Sequence, residues 1–109
     1  MAFDEALAAR LRAALGGVKG VEERTMFGGV AFLVRGNMCV GVHENALVAR
    51  VAPDEEQEVL TIPFAKPFAM TGRPMQGWIL VEPPGLKTKQ MLHVWVDRAK
   101  SFVRTLPPK

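Results

Sequence analysis

Between Val30 and Val51 side chains of contrasting character alternate with period two, the pattern of a pleated sheet with two unlike faces. Val30, Phe32 and Val34 alternate with Ala31 and Leu33; Met38, Val40 and Val42 with Cys39 and Gly41; Leu47, Ala49 and Val51 with Val48 and Arg50. Three strands joined by two tight turns follow. A two-residue turn at Glu44-Asn45 sets Val42 opposite Leu47 and Val40 opposite Ala49. At the earlier turn, a three-residue loop Arg35-Gly36-Asn37 pairs Val34 with Met38 and Phe32 with Val40. A two-residue Gly36-Asn37 loop slips this pairing by one and divides the largest apolar set between faces. Burial therefore selects the longer loop, with Asn37 at positive φ. The expected apolar face is Val30, Phe32, Val34, Met38, Val40, Val42, Leu47, Ala49 and Val51. The expected reverse face is Ala31, Leu33, Cys39, Gly41, Val48 and Arg50, smaller and mixed in polarity.

The flanks change period. Phe3, Leu7, Leu11 and Leu15 recur every four residues, which predicts an amphipathic helix over Asp4 to Leu15 with Asp4 as N-cap and Gly16-Gly17 as its stop. Lys19 to Arg24 reads as a polar connector into Gly28-Gly29, and paired glycines ahead of a strand imply positive φ or close backbone approach. Pro53 followed by Asp54, Glu55 and Glu56 opens a short helix to about Leu60. Prolines and glycines punctuate the next stretch, where Phe64 and Phe68 anchor a loop or short edge strand. Trp78 to Val81 is a strand ended by Pro83-Pro84-Gly85. Thr88 caps a last helix with the stripe Met91/Leu92, Trp95, Ala99, Phe102/Val103 and Leu106. The order α-β-β-β-α-β-β-α predicts an α+β two-layer sandwich: an antiparallel sheet of about five strands, helices on one face and the other face open.

Length and composition narrow the class. The 109 residues, 49% hydrophobic, fit a single domain over 1–109 with its own core. One cysteine excludes an internal disulfide framework and, without a secretory leader pattern, points to a reducing cytoplasmic setting. No apolar run reaches the roughly 20 residues of a membrane span. Net charge is +3, but it is unevenly placed: residues 1–65 carry six basic and nine acidic side chains, residues 66–109 eight basic and two acidic. Lys87, Lys89, Lys100 and Arg104 are the candidate basic patch for an acidic partner or nucleic acid, weighed against an ordinary solvated helix face. No exposed aromatics of the kind seen in nucleic-acid platforms interleave with them.

Catalytic chemistry finds little footing. Cys39 and His43 share a strand face but lie about 13 Å apart at about 3.3 Å of rise per residue, beyond the reach of a nucleophile and its base. His93 falls off the buried stripe of the last helix. One cysteine and two histidines make no metal-ligand motif, the glycines precede no phosphate-loop Lys-Ser/Thr, and Ser101, the sole serine, lies in a helix. No catalytic, metal or cofactor residue is assigned, and enzymatic activity is not expected.

Met26-Phe27-Gly28-Gly29, Gly36-Asn37-Met38, Leu47-Val48-Ala49-Arg50-Val51, Pro63-Phe64, Pro67-Phe68, Gly72-Arg73-Pro74-Met75 and Trp95-Val96-Asp97-Arg98-Ala99 occur in this order. Together they resemble the N-terminal domain of the TfoX/Sxy competence regulators over nearly the whole chain. The resemblance implies an α+β fold and a bacterial protein linked to coactivation of transcription in natural competence. It implies no catalytic or cofactor residues, and Gly28, Gly29, Gly36 and Gly72 read as turn residues. Full-length regulators add a C-terminal helical domain, so regulatory activity does not transfer directly.

The function expected is therefore a small non-enzymatic interaction domain, binding a protein partner or a second copy of itself. Its surface is the open sheet face around Leu33, Cys39, Val48 and Arg50, or a strand edge. Direct nucleic-acid binding through the basic patch is the alternative, and a small-ligand pocket near Phe64, Phe68 and Trp78 is a third reading.

Overall fold

The computed structural model describes residues 3–26, 28–69 and 74–108. It is an α+β fold with one six-stranded antiparallel sheet and three helices. Helix α1 (Glu5–Ala14) begins where Asp4 accepts hydrogen bonds from the backbone N–H groups of Ala6 and Leu7, satisfying two donors that the first turn leaves open. Leu7, Leu11 and Leu15 are buried beneath it. The strands are β1 (Val21–Met26), β2 (Gly29–Val34), β3 (Asn37–His43), β4 (Ala46–Arg50), β5 (Ala65–Ala69) and β6 (Pro74–Val81), in spatial order β1-β2-β3-β4-β6-β5. A 3₁₀ turn at Pro53–Glu55 leads into the single-turn α2 (Glu56–Val59). Helix α3 (Lys89–Val103) is capped by Thr88, whose hydroxyl accepts from Met91 N–H.

The sixth strand is β1, in the segment expected to be a polar connector. Its residues are largely exposed because it is an edge strand whose side chains contribute little to either core. Backbone pairing holds it in an unbroken register with β2, from Val21 opposite Val34 to Met26 opposite Gly29. The turn that follows holds Gly28 at φ 71°; Phe27, like Gly72 and Arg73 of the motifs above, lies outside the described residues. Gly29 is needed for space: a Cβ there would run into the Val42 carbonyl of β3.

The two later hairpins differ from each other. Glu44-Asn45 forms the expected two-residue turn, with Val42 opposite Leu47 and Val40 opposite Ala49. The β2–β3 turn is neither loop considered above. Arg35 and Gly36 occupy it, both at positive φ (51° and 85°), and Val34 faces Asn37. That is the two-residue hairpin geometry whose twist matches the strands it joins. A bulge then restores the register: Leu33 faces Met38, but Phe32 faces Val40, leaving Cys39 as the extra residue. Cys39 consequently joins Val40 in the helix-side core, while Met38 belongs to the reverse-face cluster. These two residues exchange the faces that strict alternation assigned to them.

Among the described residues, helices cover one face only. The larger core joins Leu7, Leu11, Leu92, Trp95, Val96, Ala99 and Val103 to Val30, Phe32, Val40, Val42, Leu47, Ile79 and Val81 of the sheet. Met91, expected on the buried stripe, is 37% exposed because the helix turns its neighbour Leu92 inward instead. The reverse face has its own cluster of Ala31, Leu33, Met38, Val48 and Phe68, flanked by half-exposed Met26, Met75, Trp78 and Leu80. All six strands contribute to it. His43 of β3 meets Phe68 of β5 edge-on, with ring centroids 5.5 Å apart. Two strands lie between them, so on a flat sheet the backbones would stand roughly 14 Å apart, too far for the rings to meet. The sheet coils, and its reverse face is concave.

Gly29→Ala is expected to lower stability by about 2 kcal/mol or more, since backbone must move to clear Val42, whereas Gly17→Ala, with open space at its Cβ position, stays within about 0.5 kcal/mol. Urea unfolding midpoints of the two variants check this.

Candidate interaction surfaces

The structure separates the four residues proposed for the reverse face. Leu33 and Val48 lie on it but are 4% and 0% exposed, covered by neighbours from the strands of the coiled sheet. Cys39 is turned to the opposite side by the bulge. Arg50, half-buried, places its guanidinium 5.2 Å from the Trp78 ring centroid and 5.4 Å from that of Phe102 on α3. Trp78 packs with the reverse-face cluster and Phe102 with the helix-side core, so Arg50 bridges the two layers at the end of β4. Partial burial pulls its pKa below the ordinary arginine value, and the two ring faces supply part of the lost hydration. The apolar surface that remains accessible on this side is Met26, Met75, Trp78 and Leu80, beside exposed Glu22, Arg24 and Lys66 of the two edge strands, and sequence reading missed this group. Met75, Trp78 and Leu80 come from β6 and Met26 from the far edge β1, and each packs against the same buried cluster. Phe64, grouped above with Phe68 and Trp78, is 48% exposed and absent from this cluster.

Cys39 is a poor nucleophile where it stands. Burial pushes its thiol from 9.0 up to about 12, with Lys100 offsetting part of the rise. The neutral thiol fits a core position, and a thiolate there would be desolvated.

The basic residues of the second half divide between two neighbouring cavities along α1 and α3. Lys87 and Lys89 line one of about 470 Å³ with Arg10, Leu92 and His93. Lys100 and Arg104 line another of about 750 Å³ with Lys19, Arg35, Val18 and Val34. Ala14 of α1 lines both, so the two adjoin at the end of α1 and are called together the α1–α3 groove. Lys19 and Arg35 carried no signal in the sequence, because they belong to the acidic half and reach the groove only through folding. Arg10 is anchored there, its Nη2 donating to the Leu86 carbonyl at 2.8 Å and more weakly to that of Thr88.

The sheet edges offer less. The outer edge β5 contains Pro67, which has no N–H to donate, and Lys66. The opposite edge β1 carries Glu22, Glu23 and Arg24, with Arg24 paired to Glu22 and Arg12 paired to Glu23. Charges and proline are the ordinary devices that deter strand addition.

The family model of the TfoX N-terminal domain matches residues 13–103. No curated protein and no solved structure matches the chain.

The buried thiol gives a direct expectation. Cys39 should resist alkylation by iodoacetamide at pH 8 in the folded protein and react readily once urea unfolds it. Because its folded pKa is the higher, Cys39 also contributes stability that is present below about 9 and declines as pH rises toward about 12. Cys39→Ala should flatten that part of a stability-against-pH profile.

Proposed function

The chain belongs to the TfoX N-terminal domain family, and from that membership and the form of its sheet we propose a non-enzymatic interaction domain serving transcription regulation. The concave reverse face carries the contact, and its occupant is a protein partner or a second copy of this chain. One observation supports this above the others: the face has no helical cover, yet Met26, Met75, Trp78 and Leu80 present a half-exposed apolar rim around a filled centre. Thioether side chains adapt to a partner's contours without a fixed shape of their own, and Trp is the residue type most often central to binding energy. A face contact is favoured over strand addition because Pro67 and the charged β1 blunt both edges. The link to competence rests on the family resemblance, whose full-length members are bacterial coactivators.

Met75→Glu places a charge on the rim without entering the core. It should weaken association at least tenfold, about 1.4 kcal/mol, while leaving the thermal midpoint within a few degrees of wild type. Sedimentation over a concentration series reads self-association, and stoichiometric copurification with a transcription regulator reads partner binding. Association that is indifferent to Met75→Glu would remove the reverse face from consideration.

A further inference from the structure

Every carboxylate-paired cation among the described residues can be named: Arg12 with Glu23, Arg24 with Glu22, Lys66 with Glu82, Arg98 with Glu55 and Glu58, and Lys100 with Asp97 at 3.7 Å. The described lysines and arginines without such a partner are Arg10, Lys19, Arg35, Lys87, Lys89, Arg104 and Arg50. Arg50 is held between two aromatic rings. The other six all line the groove between α1 and α3. No carboxylate among the described residues lines it. A solvated helix face ordinarily interleaves both signs, and like charges gathered without counter-charges repel one another. Glu22, Glu23, Glu55, Glu58 and Glu82 pair with cations outside the groove, and within it Lys100 has a carboxylate partner, Asp97.

From this distribution we infer that the α1–α3 groove is a binding site for the phosphate backbone of double-stranded nucleic acid, read without regard to sequence. The groove's form selects that ligand over other polyanions. Arg10, Ala13 and Ala14 of α1 and Gly17 beyond it form one wall, whose small residues let a broad backbone approach closely, and Lys89, Lys100 and Arg104 along α3 and its C-cap span about 22 Å, the rise of about six base pairs. A single strand would want aromatic stacking platforms, and no aromatic ring lines either cavity apart from the His93 imidazole. An acidic peptide helix would want large apolar anchor sites; here Leu92 and Val34 are already buried in the core, and the other apolar lining is Ala13, Ala14 and half-buried Val18. Lys100, partly neutralised by Asp97, adds to the field from within. This site lies on the helical layer and is independent of the reverse-face reading.

The test is fluorescence anisotropy of a labelled 20-base-pair duplex in two unrelated sequences, from 50 to 200 mM salt. Expected is equal affinity for both sequences, with log K falling against log salt at a slope of about −4. The double variant Lys89→Gln/Arg104→Gln should weaken binding at least tenfold and flatten the slope by about 2. Lys66→Gln, a cation outside the groove, should change neither, and Met75→Glu should leave duplex binding intact whatever it does to protein association. Circular dichroism of each variant confirms that the fold is retained. No binding at 50 mM salt, binding unaffected by the double variant, or tighter binding of a single strand or a polyglutamate peptide than of duplex would each overturn the assignment.

Discussion

The bulge at Cys39 in β3 governs how both faces of the sheet are filled. It sends Cys39 and Val40 to the same side, where two compact side chains fit beneath α1 and α3. The same extra residue releases Met38, longer and more flexible, to the side that no helix covers. Bulges also raise local twist, and twist is what this sheet needs. With one layer of helices for two apolar faces, the reverse face must shield itself by coiling, and the contact of His43 with Phe68 across two strands records the result. The concavity, the buried centre at Leu33 and Val48 and the half-exposed rim all follow from that solution.

Much of the fold was legible because its determinants are local. Asp4 and Thr88 are cap residues by side-chain chemistry, Glu44-Asn45 is the right length for a hairpin, and Leu7-Leu11-Leu15 declares a helical stripe. Strand β1 was not legible, since an edge strand exposed on both sides shows no apolar alternation. Nor was the bulge: Met38, Cys39 and Val40 are all apolar, so the pattern reads the same with or without an insertion in the register. The turn before it was obscured for a related reason, because Arg35 gives no compositional hint of φ 51°. The candidate surfaces were legible only in part. Lys87, Lys89, Lys100 and Arg104 stood out by their density, whereas Lys19 and Arg35 join them through tertiary packing alone. Met26, Met75 and Leu80 were invisible as a group, being assembled by curvature rather than by spacing.

The two surfaces divide the molecule by layer. The sheet side is apolar, concave and nearly free of titrating groups at its centre; the helical side is small-residued and electropositive along one groove. Arg50, set between Trp78 and Phe102, is where the two layers touch around the end of a strand. Its guanidinium lines neither cavity of the groove and serves to hold α3 against the end of β4.

Strand β3 is also tied down at both ends. Asn37, which opens it and is 3% exposed, donates from Nδ2 to the Pro107 carbonyl at 2.9 Å across 70 residues of sequence. At the other end the Glu44 carbonyl, just past His43, accepts from Asp4 N–H at 2.7 Å, and Phe3 bridges to the same residue. The first and last described segments of the chain thus close on one central strand. Such contacts reward the chain only after long loops have been shut, which raises contact order and slows folding. They also couple both ends to the middle of the sheet, so that fraying at either end loosens an anchor of β3.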